Sequence, residues 1–180
     1  MEPTLEISIL RETAISPELN RAIDTIDTLA FSNDARDHPE ISGIEWASHE
    51  WNALGCIDGT LVSQLCLLKR EIKVGDQLVW VAGIGGVATH PHWQRRGLAS
   101  QLMRAAQDFI RHKMEVPFGL LICAEKTRPL YQALGWQKVA DELLYIQNVE
   151  RRTLKTCVMI LNLTTDPFPH GIIDLCGLPW

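Results

Sequence analysis

The segment from Val87 to Ser100 carries the residues whose types and spacing best fit the binding of an anion. It joins an apolar, strand-like run to an amphipathic helical pattern through a turn that contains Gly97. Such a turn directs several backbone N–H groups at one anion, because the first N–H groups of a helix have no intrahelical partner. The predicted anion ligands are the backbone N–H groups of Arg95, Arg96, Gly97, Leu98, Ala99 and Ser100.

A second glycine-containing run lies just upstream of this turn. Residues 83–88 read Gly-Ile-Gly-Gly-Val-Ala and fit the G-x-G-x-x-A dinucleotide fingerprint, which requires a helix to open at once. Pro91 disfavours helical geometry at His90, so no helix is expected there. The glycines are better interpreted as strand positions where a ligand or another backbone approaches closely, or where a bulge forms.

Two short motifs carry a resemblance to a known family. Residues 94–99 (Gln-Arg-Arg-Gly-Leu-Ala) resemble the Q/R-x-x-G-x-G/A pyrophosphate loop of the GCN5-related N-acetyltransferases (GNAT). Residues 131–136 (Tyr-Gln-Ala-Leu-Gly-Trp) resemble that family's Tyr-x-x-x-Gly-Phe/Trp element. The alternative for the first motif is an ordinary strand-to-helix turn.

The resemblance implies an α+β GNAT fold: a mixed, mostly antiparallel central sheet, flanked by helices and splayed at the cofactor. It also implies an acetyl-CoA-dependent enzyme that acetylates an amine. Backbone groups of Val87, Ala88 and Thr89 would contact the pantetheine and the thioester carbonyl, and the pantetheine would be the close neighbour of the glycines. Tyr131 would be the general acid that protonates the leaving thiolate, the alternative being a core tyrosine. The general base is left open between a water chain, His90, an acidic loop residue and a terminal carboxylate of Trp180.

The acceptor is predicted to be a small cationic amine. The loop-rich region that holds Asp34, Asp37, Glu40, Glu45 and Glu50 contains Arg36 as its counter-charge, although a solvated surface segment is the alternative. The Pro-Trp ending at Trp180 resembles the C-terminal segment of aminoglycoside 2′-N-acetyltransferases, in which a Trp lies near the sugar amine; simple packing is the alternative. Those enzymes tend to carry a Glu where this chain has Gly85-Gly86. The predicted substrate residues are Asp34, Asp37 and Trp180.

Composition limits the other function classes. The 180 residues fit a single domain, 1–180, and a net charge of −5 disfavours nucleic acid and anionic membranes. Five cysteines without a C-x-x-C motif fit a reducing, cytoplasmic location, and His90 and His92 lack a third ligand for a metal. Homodimer formation stays open. Other acceptors to consider are polyamines and protein amines, and the other function class is a noncatalytic acyl-CoA-binding module.

The hydrophobic pattern predicts the elements that must position these residues. We expect the order β-α-(α)-β-β-β-α-β-α-β-β. Its members are strands at 5–9, 51–57, 60–72, 77–89, 118–123, 137–147 and 153–163, and helices that begin at Pro17, near residue 97 and near Thr127.

Overall fold

A computed structural model describes residues 4–32 and 39–180 of the chain. In chain order, its strands and helices are β1 (Glu6–Arg11), α1 (Pro17–Phe31), β2 (Trp51–Ile57), β3 (Thr60–Val74), β4 (Gln77–Thr89), α2 (Leu98–Phe109), β5 (Phe118–Cys123), α3 (Arg128–Gln132), β6 (Gln137–Val139), β7 (Leu143–Gln147), β8 (Glu150–Thr153), β9 (Cys157–Asn162) and β10 (Ile173–Asp174).

The strands form one mixed sheet in the order β6-β9-β5-β4-β3-β10-β7-β8. The first half of β3 also pairs with β2, and β2 pairs with β1. Two pairs are parallel, β4 with β5 and β10 with β7, and the others are antiparallel. The expected mixed, mostly antiparallel α+β architecture is therefore confirmed, while the assignment of 1–180 as one domain stays a prediction.

The sheet opens in its middle, between β4 and β5. Residues Val81–Ile84 of β4 pair with Phe118–Leu121 of β5, and the pairing stops there although β4 continues to Thr89. A β-bulge at Gly86, whose φ is +58°, bends β4 at the point of separation. The β5-facing edge of residues 85–89 is thus left without a strand partner among the described residues.

Each face of the sheet has its own cover, because side chains alternate between the two faces along a strand. Ala53, Leu65 and Leu67 belong to the hydrophobic cluster beneath α2 and α3. On the other face, α1 covers Leu54 at one end. The C-terminal segment with Trp180 covers the other end. The second face is therefore divided between α1 and the C-terminal segment.

Two expectations about the last third of the chain were wrong. The strand expected over 137–147 is two strands, β6 and β7, because the polar residues Asp141 and Glu142 interrupt it and the halves pair with different partners. Residues 150–153, expected to be mostly turn, form β8, and the two-residue strand β10 was not expected. Within residues 4–32 and 39–180, the helices are all too short or too polar to cross a membrane.

Candidate active site

The turn before α2 has the geometry of an anion-binding helix N-terminus. Gly97 is the N-cap residue with φ +76°, a conformation that favours glycine. The first backbone hydrogen bond of the helix runs from the N–H of Gln101 to the carbonyl of Gly97, at 3.1 Å. The N–H groups of Leu98, Ala99 and Ser100 precede that bond, so the helix leaves them available for a ligand. A Cβ placed at Gly97 would meet no atom within 4 Å, so the space in front of the turn is open.

The two arginines of this turn have different surroundings. Arg95 is exposed and adopts φ +59°, which helps the turn to fold back toward the helix. Arg96 donates a hydrogen bond to the carbonyl of His92, and its guanidinium lies 4.8 Å from the centre of the Trp93 ring. Gln94 Nε2 donates a 3.1 Å hydrogen bond to the Thr89 carbonyl and so ties the turn to the end of β4. The side chain of Arg96 is therefore engaged locally, whereas that of Arg95 faces solvent.

Val87, Ala88 and Thr89 lie on the part of β4 that has separated from β5. Their other edge is held by β3, where Ser63 Oγ donates to the Ala88 carbonyl at 3.0 Å and lies 2.9 Å from Thr89 Oγ1. The separated edge leads directly into the turn at 95–100. These nine predicted cofactor-binding residues therefore form one continuous strip of backbone.

Tyr131 lies on the face of the sheet that α2 and α3 cover. It lies on the short helix α3, is 6% exposed and packs in the cluster with Ile84, Leu121 and Cys123. Burial, with a smaller contribution from Cys123, raises the pKa of the Tyr131 phenol above its usual range. The hydroxyl consequently keeps its proton at neutral pH. The chain leaves α3 through Gly135, at φ +91°, and Trp136 then packs over Gly119.

The glycines of β4 lie under the last residue of the chain. A Cβ at Gly83 would overlap the indole of Trp180, and one at Gly85 would lie 2.9 Å from the Trp180 carbonyl carbon. The indole is 7% exposed, and its Nε1 donates a 3.2 Å hydrogen bond to the Leu120 carbonyl. The close approach expected at these glycines is present, but at Gly83 and Gly85 the neighbour is Trp180 and not a pantetheine chain. The Trp180 ring is packed, and its main-chain carbonyl group lies over Gly85.

A buried polar cluster that sequence analysis missed lies beside these glycines. Gln64 is 2% exposed, and its Nε2 donates to Asp27 Oδ1 and, at 3.0 Å, to the carbonyl of Gly86. Cys66 is aligned with Gly85 across β3 and β4, and burial, followed by the charge of Asp27, raises the pKa of its thiol to about 12. Polar residues inside the apolar runs of β2 and β3 were the available signal.

The next position in this cluster is Asn52 on β2. Asn52 is aligned with Cys66, is 1% exposed and donates to Glu12 Oε2. His49 Nε2 lies 2.9 Å from the same oxygen. The carboxylates of Glu12 and Asp27 thus flank a row of buried polar side chains on the face shared by α1 and Trp180.

The predicted acidic rim is only partly described. Asp34 and Asp37 lie outside the described residues. Glu50 has a structural role, because its carboxylate accepts a 2.9 Å hydrogen bond from the backbone N–H of Lys69 and lies 3.8 Å from Arg11. The segment just before Glu50 is tied to the C-terminal segment, since the N–H of Ala47 donates to the Pro179 carbonyl at 2.7 Å.

The two histidines after β4 stabilise the turn there. His90 Nδ1 accepts a 3.3 Å hydrogen bond from the N–H of His92, so that nitrogen is engaged within the turn. Among the described residues, no group of three or more His, Cys, Asp or Glu side chains is arranged to hold a metal ion.

Comparison with known proteins agrees with this geometry. The family model described as the acetyltransferase (GNAT) domain matches residues 18–139, about two thirds of the chain. The chain belongs to the GNAT acetyltransferase family. The resemblance inferred from residues 94–99 and 131–136 is therefore confirmed, and with it the GNAT fold.

Three relatives illustrate the similarity. The chain is 25% identical over 107 residues to an aminoglycoside 2′-N-acetyltransferase of Mycolicibacterium fortuitum; the match covers 59% of this chain and spans about half, 52%, of that protein. The structure of the Escherichia coli GNAT family N-acetyltransferase YhbS in complex with CoA has a TM-score of 0.65 at 17% identity, covering 99% of this chain and 98% of that one. The Escherichia coli ribosomal-protein-S18-alanine N-acetyltransferase has a TM-score of 0.58 at 18% identity, with coverage of 91% and 97%.

Proposed function

We propose that this GNAT protein transfers an acetyl group from acetyl-CoA to a primary amine of a small cationic acceptor. The observation that carries the proposal is the continuous strip from the separated edge of β4, residues 85–89, to the N-terminus of α2. Tyr131 packs in one cluster with Ile84 and Leu121, the last residues paired between β4 and β5, and its raised pKa keeps its proton in place at neutral pH. An extended, phosphorylated thioester fits this combination of a free strand edge, an anion-binding turn and a proton donor.

The residues present fit acetyl-CoA. Leu98, Ala99 and Ser100 offer backbone N–H groups to the pyrophosphate at the positive end of the helix dipole, and Arg95 adds a favourable field. The open space in front of Gly97 leaves room for the phosphates. Val87, Ala88 and Thr89 offer the unpaired backbone groups of β4 to the amide-containing arm. The YhbS structure, which holds CoA, shares this fold.

Two groups of this chain would carry the acetyl-transfer chemistry. When bound, acetyl-CoA supplies an activated acyl group. A backbone N–H of the 87–89 edge polarises the thioester carbonyl as negative charge develops on its oxygen. Tyr131 donates its phenolic proton to the leaving thiolate, because its raised pKa keeps that proton available at neutral pH.

The charges beside the opening of the sheet favour a cationic acceptor. The carboxylates of Asp27 and Glu12 flank the buried polar side chains of β2 and β3, and the main-chain carbonyl of Trp180 lies over Gly85 on the same face. Asp34 and Asp37 are further acidic candidates from the sequence. The match to an aminoglycoside 2′-N-acetyltransferase supports an aminoglycoside or another amino sugar as the acceptor.

The alternative acceptors are a polyamine and a protein amine, and the ribosomal-protein acetyltransferase with this fold is consistent with the latter. A noncatalytic acyl-CoA-binding module is disfavoured by Tyr131, since such a module has no need of a proton donor. Cytoplasmic location and homodimer formation stay predictions.

A screen of amines tests the proposal, with release of free thiol from acetyl-CoA as the readout. We expect the highest kcat/KM for aminoglycosides or other amino sugars, a lower value for polyamines and the lowest for neutral monoamines. Binding of CoA without thiol release on any amine would favour the noncatalytic module. Absence of CoA binding in calorimetry would contradict the proposal as a whole.

A further inference from the structure

The carboxylate of Asp27 is held in a fixed position beside the opening of the sheet. Asp27 lies on α1 next to the core residue Ile26, and its Oδ1 accepts a hydrogen bond from Gln64 Nε2. The same nitrogen donates to the carbonyl of Gly86 at 3.0 Å, so one buried amide links the carboxylate to the bulge of β4. Burying a carboxylate is costly unless a donor satisfies it, and Gln64 supplies that donor.

The second oxygen of Asp27 accepts no hydrogen bond from residues 4–32 or 39–180. Gly86 belongs to the stretch of β4 that has left β5. Asp27 stands on the face of the sheet shared with Trp180, whereas Tyr131 packs on the opposite face. A thioester lying in the opening would therefore have a proton donor on one face and a carboxylate on the other.

We propose that Asp27 is the general base that removes the proton of the acceptor amine, with Gln64 as its positioning residue. This inference rests on the proposed function. Asp27 supplies a carboxylate on the side from which the acceptor would approach. The aminoglycoside 2′-N-acetyltransferases tend to carry a Glu where this chain has Gly85 and Gly86, so the strand itself offers no carboxylate here.

Each proton in the reaction has a donor and an acceptor. The acceptor ammonium gives one proton to Asp27, and the freed nitrogen lone pair forms the bond to the thioester carbonyl carbon. The amine nitrogen loses a second proton to solvent as the C–S bond breaks, and the departing sulfur takes the proton of Tyr131. Asp27 releases its proton to solvent and Tyr131 regains one, so each turnover yields an amide, a thiol and one net proton.

Among residues 4–32 and 39–180, the charged and titratable groups around Asp27 come from several elements. Asp24 is one turn away on α1, Gln64 and Cys66 face it from β3, His49 precedes β2, and Glu12 lies beyond Asn52. Burial raises the pKa of Asp27, opposed by the Gln64 hydrogen bond and by His49, and Asp24 raises it further. A carboxylate whose pKa is raised is a stronger base than one with the usual value.

The test compares Asp27→Asn with Asp24→Asn. Both changes remove one negative charge from α1 without changing side-chain size, but Asp24 is exposed and makes only a local contact with Asn20. We expect Asp27→Asn to lower kcat by about a hundredfold. The KM for acetyl-CoA should stay near that of the wild type, and Asp24→Asn should keep near-wild-type kcat. The pH dependence of kcat at saturating acceptor is the second measurement. The wild-type kcat should fall as pH drops through the Asp27 pKa, and that limb should be absent in Asp27→Asn.

Equal kcat of Asp27→Asn and Asp24→Asn, in an enzyme that releases thiol with its best amine, overturns the role of Asp27 and leaves the proposed function standing. No thiol release by the wild type with any amine overturns both. If Asp27→Asn fails to fold, the kcat profiles of the wild type and Asp24→Asn decide. Because Asp24 raises the Asp27 pKa, an acidic limb that lies at lower pH in Asp24→Asn supports the proposal, and a flat or unshifted kcat from pH 4 to 8 overturns it.

Discussion

The indole Nε1 of Trp180 donates a 3.2 Å hydrogen bond to the carbonyl oxygen of Leu120, and this bond fixes the last residue of the chain against β5. The ring then lies across β4 at Gly83, with the Arg70 guanidinium 5.1 Å from its centre. Arg70 also donates to the Leu178 carbonyl at 2.6 Å. The C-terminal segment is therefore part of the sheet's second face, and the absence of side chains on β4 is what makes room for it.

Gly83→Ala should destabilise the protein, because the new Cβ would overlap the Trp180 indole. Overpacking of this kind costs about 1–3 kcal/mol, measured by denaturant unfolding. The control is the same substitution in a Trp180→Ala background, where the ring is gone and the alanine fits. If the two substitutions change the free energy of unfolding additively in the double variant, the Trp180 ring does not pack against residue 83.

Gly97→Asp should weaken acetyl-CoA binding far more than Gly97→Asn does. Both side chains have the same size and tolerate the φ of +76° better than other residues do, so the strain is matched. The aspartate alone adds negative charge where the pyrophosphate would lie. The space around Gly97 is open, so neither variant should clash with its neighbours.

Calorimetric titration with CoA measures the difference. Dissociation constants that equal the wild-type value in both folded variants would move the pyrophosphate away from the 95–100 turn. A loss shared equally by both variants would indicate backbone strain and not charge.

Tyr131→Phe should lower kcat by about a hundredfold and leave the KM for acetyl-CoA nearly unchanged, because only the proton donor is removed. The pKa of the phenol is raised, so Tyr131 loses its proton only above its usual value of 10.0. The wild-type kcat should consequently show no decline from Tyr131 between pH 7 and 10. A kcat near that of the wild type in Tyr131→Phe would mean that water protonates the thiolate.

The parts of this site that lie close together in the sequence could be predicted from it. The strand-turn-helix segment and Tyr131 follow local rules of helix capping and hydrophobic period, and the strand 118–123 has the predicted bounds. The interaction of Gln64 with Asp27 joins residues 37 apart, and that of Trp180 with Leu120 joins residues 60 apart. No local pattern encodes such contacts. The glycines of β4 predict that another group packs closely against the strand, but they do not say which group. Only the folded structure shows that this neighbour is Trp180.

Asp27→Asn should make the protein more stable than the wild type at neutral pH. The folded state raises the pKa of Asp27, so the folded protein binds its proton more tightly than the unfolded chain does. Wild-type stability should therefore fall as pH rises above 3.8 through the folded-state pKa, relative to the variant. Asparagine can still accept the Gln64 hydrogen bond through its carbonyl oxygen.

Thermal unfolding of both proteins from pH 3.5 to 7.5 measures this difference, in which contributions common to both proteins largely cancel. If the stabilities of the wild type and the variant change in parallel with pH, burial does not perturb the pKa of Asp27. A destabilised variant at neutral pH would assign Asp27 a structural role.

Salt should raise the KM for the acceptor amine more than the KM for acetyl-CoA. The carboxylates of Asp27 and Glu12 flank the polar side chains of β2 and β3 beside the proposed site, and Asp34 and Asp37 are further acidic candidates from the sequence. Attraction between partly exposed charges is screened over about 8 Å at physiological ionic strength, whereas the N–H groups of α2 contact their ligand directly. Asp34→Asn combined with Asp37→Asn should raise the acceptor KM in low salt and reduce its salt dependence, while the CoA dissociation constant stays unchanged.

Steady-state kinetics between 20 mM and 500 mM NaCl measure the salt dependence of both KM values. A neutral, hydrophobic amine as the best acceptor, with a KM insensitive to salt, would exclude a cationic acceptor and leave acetyl transfer itself in place.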